Sequence, residues 1–183
     1  MVNFISFISV IFLSLKTIIP DISDNTNNEN SIKERLLSNI LFVVRHNKSP
    51  NYVVYKANIA TDKKLNNKKP VDVFWFMKTK GETTEELTII EWKLAFGFKL
   101  DVIKKSEEYK IKLNAIKEKR IIVKKNSKGV FICSMLINGK MAKLRDVFIN
   151  YETTFSFPTV KYLDFRGIDI ITGKFITERY FPD

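Results

Sequence analysis

The chain has 183 residues, 45% of them hydrophobic, with 15 Phe, 6 Tyr, 6 Gly and 5 Pro. That is the length and apolar content of one globular domain; it excludes collagen-like and low-complexity chains and lets a core form without staples. A formal net charge of +11 favours anionic partners, or serves solubility alone; most of it is Lys, and Arg is the better bidentate reader of phosphate.

Phe4 to Leu15 is a twelve-residue apolar run followed by Lys16 and Thr17-Ile-Ile-Pro20. The length suits the apolar region of a secretory signal and falls short of a membrane span. No Lys or Arg precedes the run and no A-x-A-like cleavage site follows it, so an uncleaved anchor over residues 2–19 and a core segment of the fold stay open beside a cleaved signal. Residues 1–20 are therefore expected to direct export, leaving the protein secreted, periplasmic or membrane-anchored. Residues 21–31 (DISDNTNNENS) read as a polar linker. Residues 32–183 read as a single β-rich domain.

Ser31-Ile-Lys-Glu34 has capping-box spacing, so a short N-terminal helix is expected up to Ser38. Ile40 to Val44 reads as a buried strand, Asn47-Lys-Ser-Pro-Asn51 as a turn, and Tyr52 to Ala60 as its hairpin partner. Val71 to Met77 is a strand with Val71, Val73, Trp75 and Met77 on one face and Asp72, Phe74 and Phe76 on the other. Both faces are largely apolar, which predicts a central strand covered on two sides. Residues 83–96 are read as an inserted helix: Thr83-Thr-Glu-Glu86 has capping-box spacing, Leu87, Ile90, Leu94 and Ala95 form a stripe, and Gly97 takes the C′ position.

An antiparallel meander is expected after that, with strands at 98–103, 109–115, 120–125 and 130–137. Asn138-Gly139 is a two-residue hairpin turn leading into a strand to about Tyr151. Val160 to Ile171, a turn at Thr172-Gly173 and a closing strand from Lys174 to Phe181 complete the chain. The fold class is thus mainly β: an antiparallel sandwich or barrel of about ten short strands with one inserted helix.

Three segments carry a family likeness: Leu41 to Asn58 (LFVVRHNKSPNYVVYKAN); Pro70 to Trp75 leading to Leu87 to Gly97; and Val160 to Asp169 with Thr172-Gly173 and Glu178-Arg179. Over roughly residues 39–183 the chain resembles an uncharacterised family, domain of unknown function 4833. The resemblance implies no activity, cofactor or catalytic residue; members often look exported.

Candidate chemistry is sparse. His46 is the one histidine, no H-x-x-x-H or C-x-x-C spacing occurs and no G-x-S-x-G elbow accompanies it. No cofactor or metal is implied. Cys133 is the only cysteine, so no intrachain disulfide forms, and its apolar setting suits a small hydrophobe. Glu91 falls inside the apolar stripe of the expected helix and needs a partner; Arg45, at the end of a buried strand, is the sequence's candidate for an ion pair with it.

Asn47 and Asn51 lie on the adjoining loop, with Tyr55, Asp72 and Trp75 nearby if the strands pair, an arrangement suited to a binding site. Lys104 to Lys128 holds ten Lys and Arg residues, with Tyr109 the one aromatic among them. A single-strand nucleic-acid reader needs more stacking surface, and edge-strand Lys has the simpler role of blocking aggregation. Three readings follow. The first is a non-catalytic exported or envelope-associated binding module favouring an anionic ligand or a cell-surface component. The second is a hydrolytic enzyme with a carboxylate-centred site near Glu91, Asp72 and His46. The third is an intracellular nucleic-acid binder, not favoured if the chain is exported.

Overall fold

The structure, a computed structural model, describes residues 38–66, 68–103, 108–154 and 157–182. The expected export segment (1–20), the linker (21–31) and the helix opening at Ser31 lie outside the described residues. Eleven strands appear in chain order: β1 (Ile40–His46), β2 (Ser49–Ala57), β3 (Val71–Met77), β4 (Thr83–Glu86), β5 (Phe98–Ile103), β6 (Glu108–Leu113), β7 (Ile116–Lys125), β8 (Phe131–Ile137), β9 (Lys140–Thr154), β10 (Phe157–Asp169) and β11 (Phe175–Tyr180). They form one curled sheet, a half-barrel, in the order β4-β3-β2-β1-β9-β8-β7-β6-β5, with β10 on β9 and β11 on β10.

The long strand β9 organises this sheet. Residues 140–143 pair with β8, 146–149 pair with β1, and 142–154 pair with β10. Because β10 takes one edge of β9 throughout, β8 and β1 must share the other edge, so the sheet forks into two arms. The β1–β9 pairing is parallel, joining His46 to Ile149. This departs from the all-antiparallel expectation, which local alternation could not have corrected.

The inner faces of the two arms meet in one apolar cluster that includes Phe42, Val53, Tyr55, Ile111, Val123, Met135, Leu144 and Phe165, each buried. Burying one such side chain stabilises the fold by roughly 1.5–3 kcal/mol. A smaller cluster of Val43, Val54 and Phe76 covers the outer face of β1 to β3. That second cluster explains why β3 is apolar on both faces although it is next to last in its arm rather than central. At the β8–β9 hairpin, Asn138 and Gly139 both have positive φ, 49° and 73°, as its two-residue turn demands.

The expected helix over 83–96 is corrected by the structure. Thr83–Glu86 is β4, hydrogen-bonded to β3 with Phe74 opposite Glu86. Helix α1 begins only at Ile89–Glu91 and continues as a π-helical turn over Trp92–Phe96. Its capping box is Thr88 with Glu91, not Thr83 with Glu86. Both quartets have the same T-x-x-E spacing, and the strand partner available to the first decides between them. Gly97 is not left-handed: its φ is −70°. It is needed for space, because a Cβ there would lie 1.9 Å from the Trp92 carbonyl oxygen.

Gly97→Ala should therefore cost about 3 kcal/mol, the upper range for overpacking, read as a lowered urea midpoint at unchanged slope. A loss under about 0.5 kcal/mol, the level of a neutral surface change, would show that the π turn relaxes freely.

Candidate functional site

The sheet carries one polar and aromatic cluster on each face. On the inner face, β1 ends with His46, and the β2–β3 register sets Trp75 opposite Val53. His46 meets Trp75 edge-on at 6.3 Å between ring centroids and Tyr151 of β9 at 5.5 Å. Trp75 meets Phe96 at 5.3 Å and donates its indole N–H to Glu91 Oε1 at 3.1 Å. The other Glu91 oxygen accepts the Thr88 backbone N–H at 2.7 Å and its hydroxyl at 2.9 Å. Glu91 is 5% exposed, and its three donors satisfy the requirement that a buried carboxylate be hydrogen-bonded.

The wide π turn leaves carbonyls within reach of other side chains. Phe96 C=O accepts the Tyr55 hydroxyl at 2.6 Å, and Trp92 C=O accepts Asn114 Nδ2–H at 3.1 Å. Tyr55 also stacks on Phe42 at 4.2 Å, and complete burial drives its phenol pKa well above the ordinary range. Asn47 joins the β1–β2 turn to β9: its Nδ2–H donates to Tyr151 C=O at 3.0 Å and its Oδ1 accepts Tyr151 N–H at 3.2 Å. His46 Nδ1 accepts the Lys48 backbone N–H at 3.2 Å, which requires that nitrogen to be unprotonated. Burial lowers the His46 pKa in the same direction.

On the outer face, a row of residues crosses four strands in register: Arg45 opposite Phe148, Phe148 opposite Asp164, Asp164 opposite Arg179. Asp164 is 4% exposed. It accepts Arg179 Nε–H at 2.8 Å and Nη2–H at 3.1 Å, and Arg166 Nη2–H at 3.3 Å. The Arg179 guanidinium, aided by Arg166, holds the Asp164 carboxyl below the usual carboxylate range. Each arginine also covers a ring: Arg179 lies 3.7 Å from the Tyr162 centroid, Arg166 4.6 Å from Phe148, and Arg45 5.4 Å from Tyr52. Fixed guanidinium planes on aromatic faces make a rigid cationic surface.

The structure brings His46, Asn47, Tyr55, Trp75 and Glu91 together at one end of the inner face. It places Arg45 and Asp72 on the outer face, and Asn51 at the start of β2, where its Oδ1 accepts Thr79 N–H at 3.1 Å. The expected Arg45–Glu91 ion pair is not formed. Strand alternation points Arg45 away from His46 and Val44, toward Tyr52, and Trp75 and Thr88 supply the donors Glu91 needs. Nor do Glu91, Asp72 and His46 converge: Asp72 sits opposite Lys56 and pairs with Lys69 at 2.9 Å.

Sequence reasoning missed Tyr151 on the inner face and Asp164, Arg166 and Arg179 on the outer. The period-two pattern Tyr162-x-Asp164-x-Arg166 was the available sign, since it sets three such residues on one face.

Further along the outer face, β5 to β7 present Lys99, Lys110, Lys112, Arg120 and Lys124. Lys99 stands directly opposite Lys112, a like-charge pairing that costs roughly 0.2–1 kcal/mol. The acids there, Asp101 and Glu108, lie 3.6 Å from Lys112 and 3.9 Å from Lys124. Cys133 is buried, its thiol pushed up to about 12 by burial, and donates to Leu41 C=O at 3.0 Å; it is packed as a small hydrophobe. Among the described residues no three His, Cys, Asp or Glu side chains are grouped to hold a metal, and no helix is long and apolar enough to cross a membrane.

Two outcomes follow. Unfolded imidazole binds its proton near pH 6.5, whereas the folded His46 resists it to lower pH. Stability should thus be full above about pH 7.5 and decline as pH falls through 6.5 toward the lowered folded value. Urea midpoints between pH 8 and 5 should show the decline, and His46→Phe should flatten it; an unchanged slope in the variant rejects the assignment. For Glu91, a double-mutant cycle of Glu91→Ala with Trp75→Phe should give about 1–2 kcal/mol of coupling. Additive losses would mean that the indole bond carries no stability.

No curated protein and no solved structure matches the chain. The family model of domain of unknown function DUF4833 matches residues 42–179, a span from the middle of β1 to the end of β11 that includes both clusters. The chain is a member of the DUF4833 family.

Proposed function

We propose that the protein is a non-catalytic binding module for anionic surfaces or ligands, exported or envelope-associated through residues 2–19. The observation that carries this reading is the sorting of side chains between the two faces. The inner face is filled by a single apolar cluster, and its carboxylates are engaged, Glu91 by Trp75 and Thr88 and Glu178 by Lys119 and Asn138. The outer face holds Lys99, Lys110, Lys112, Arg120 and Lys124 over β5 to β7; farther across it Arg45 adds a cation, while Arg166 and Arg179 are balanced by Asp146 and Asp164. A basic field of this extent attracts polyanions and is screened by salt.

The hydrolytic reading lacks its geometry, because Asp72 faces away from His46 and Glu91. The nucleic-acid reading lacks its stacking platform: Tyr109 packs against the core, and the rings of Tyr52, Phe148 and Tyr162 are already covered by guanidinium groups. Edge protection by Lys99 on β5 accounts for one lysine of the basic face, not for its width.

Retention on immobilised heparin tests the reading. Binding should weaken steeply with salt, and the triple variant Lys99→Glu, Lys110→Glu, Lys112→Glu should lower the log–log salt slope by roughly three, one per lost contact. A control with Lys63→Glu, Lys64→Glu and Lys68→Glu carries the same charge change on the loop after β2 and should leave the slope nearly intact. Equal losses in the two variants would show that net charge, not this face, does the binding.

A further inference from the structure

We infer that the tips of the β8–β9 and β10–β11 hairpins form an insertion site for an anionic lipid bilayer. The two tips lie side by side: Ile170 N–H donates to Met141 C=O at 3.1 Å, and Asn138 Nδ2–H donates to Thr177 C=O at 2.8 Å. Leu136 is 54% exposed, Ile170 51%, Phe175 54% and Ile171 92%. Leu136 is flanked by the buried Met135 and Ile137, so it points away from the core. Met141 stands opposite Leu136, and Ile168 opposite Phe175. Grouped apolar side chains of this kind on an otherwise polar surface mark an interaction site.

Charge identifies the occupant. Lys140, Lys143 and Lys174 are exposed around the tips and form no ion pair among the described residues. The neighbouring acids are held elsewhere. Asp169 accepts the backbone N–H groups of Ile171 and Thr172 at 2.8 and 3.3 Å and thereby builds the turn. Glu178 accepts Asn138 N–H at 2.7 Å and pairs with Lys119. An exposed apolar tip bordered by lysines outside any ion pair among the described residues matches a bilayer whose headgroups are anionic and whose interior is apolar. A second copy of the chain would bring its own lysine ring against this one. One register row, Lys110–Ile122–Ser134–Lys143–Ile168–Phe175, joins the tips to the basic face. This inference rests on the anionic-surface reading and names its partner.

The test uses the full chain with a reporter at the tip, Ile171→Trp, and a control reporter in the β7–β8 turn, Ser127→Trp. With phosphatidylglycerol vesicles, the Ile171→Trp emission should shift to the blue and lose at least threefold of its quenching by acrylamide, while Ser127→Trp stays quenchable. Lys140→Gln, Lys143→Gln and Lys174→Gln should each weaken vesicle binding about fivefold at low salt.

Equal protection of both reporters would overturn the site, because it indicates adsorption without a preferred tip. Equal insertion into phosphatidylcholine vesicles would overturn the anionic partner. Protection of Ile171→Trp without vesicles, with a dimer in sedimentation equilibrium, would assign the patch to a second copy instead. Loss of heparin retention in the β5–β6 lysine variant together with an exposed tip on vesicles would reject the docking site alone.

Discussion

The parallel pairing of β1 with the second half of β9 is the constraint on which the rest of the molecule depends. It joins Val43 to Asp146 and His46 to Ile149, residues about a hundred positions apart, and so closes the longest loop in the fold. Without it the arm β4-β3-β2-β1 has no strand pairing to the arm β8-β7-β6-β5, and the shared inner face loses its frame. The pairing is reinforced at its end, where Asn47 bonds the Tyr151 backbone in both directions. A register slip there would break two hydrogen bonds and turn the inner residues of β1 outward.

The fork also requires β9 to keep its core residues on one side over fifteen positions. A register shift at Asp146–Leu144 does this: Ala142 and Leu144 face the core before it, and Val147 and Tyr151 after it. The opposite strand must approach closely at that point, and Gly167 allows it. A Cβ on Gly167 would come within 2.6 Å of the Lys143 carbonyl oxygen. The irregularity therefore explains both the glycine in Asp164-Phe-Arg-Gly167 and the way Asp146 and Arg166 come to share the outer face, at 3.6 Å. Packing in the core and charge placement outside it follow from one bulge.

Much of the local structure was legible in the sequence, because it follows from local chemistry. Val71–Met77 and Phe98–Ile103 are strands at their expected bounds, and Asn138-Gly139 turns where its left-handed preference says it should. The helix boundary was not legible: two T-x-x-E quartets lie five residues apart, and only pairing with β3 makes the first a strand. For the site, His46, Trp75 and Glu91, each singled out in the sequence, lie together on the inner face, yet the partner expected for Glu91 is not the one it has. Alternation fixes that Arg45 and His46 point opposite ways, but which side is the core depends on strands a hundred residues distant. The Asp164 cluster was hidden for the same reason, since Phe148, Asp164 and Arg179 meet only through register.

A sheet of this kind has a second face that needs cover, and the molecule covers it by three different means. On β1 to β3 an apolar cluster does so; on β9 to β11 arginine planes lie on Phe148 and Tyr162; on β5 to β7 lysines keep the face in water. Guanidinium stems on rings seal backbone much as a packed layer would, while leaving charge at the surface. The hairpin tips have none of these. Leu136, Ile171 and Phe175 are apolar without a covering group among the described residues, beside acids already committed to backbone amides. Apolar exposure of that kind costs hydration free energy in water, a cost that the proposed bilayer contact removes. Under the proposed bilayer insertion the outer face orients the protein, with the hairpin tips in the membrane and the basic flank beside it.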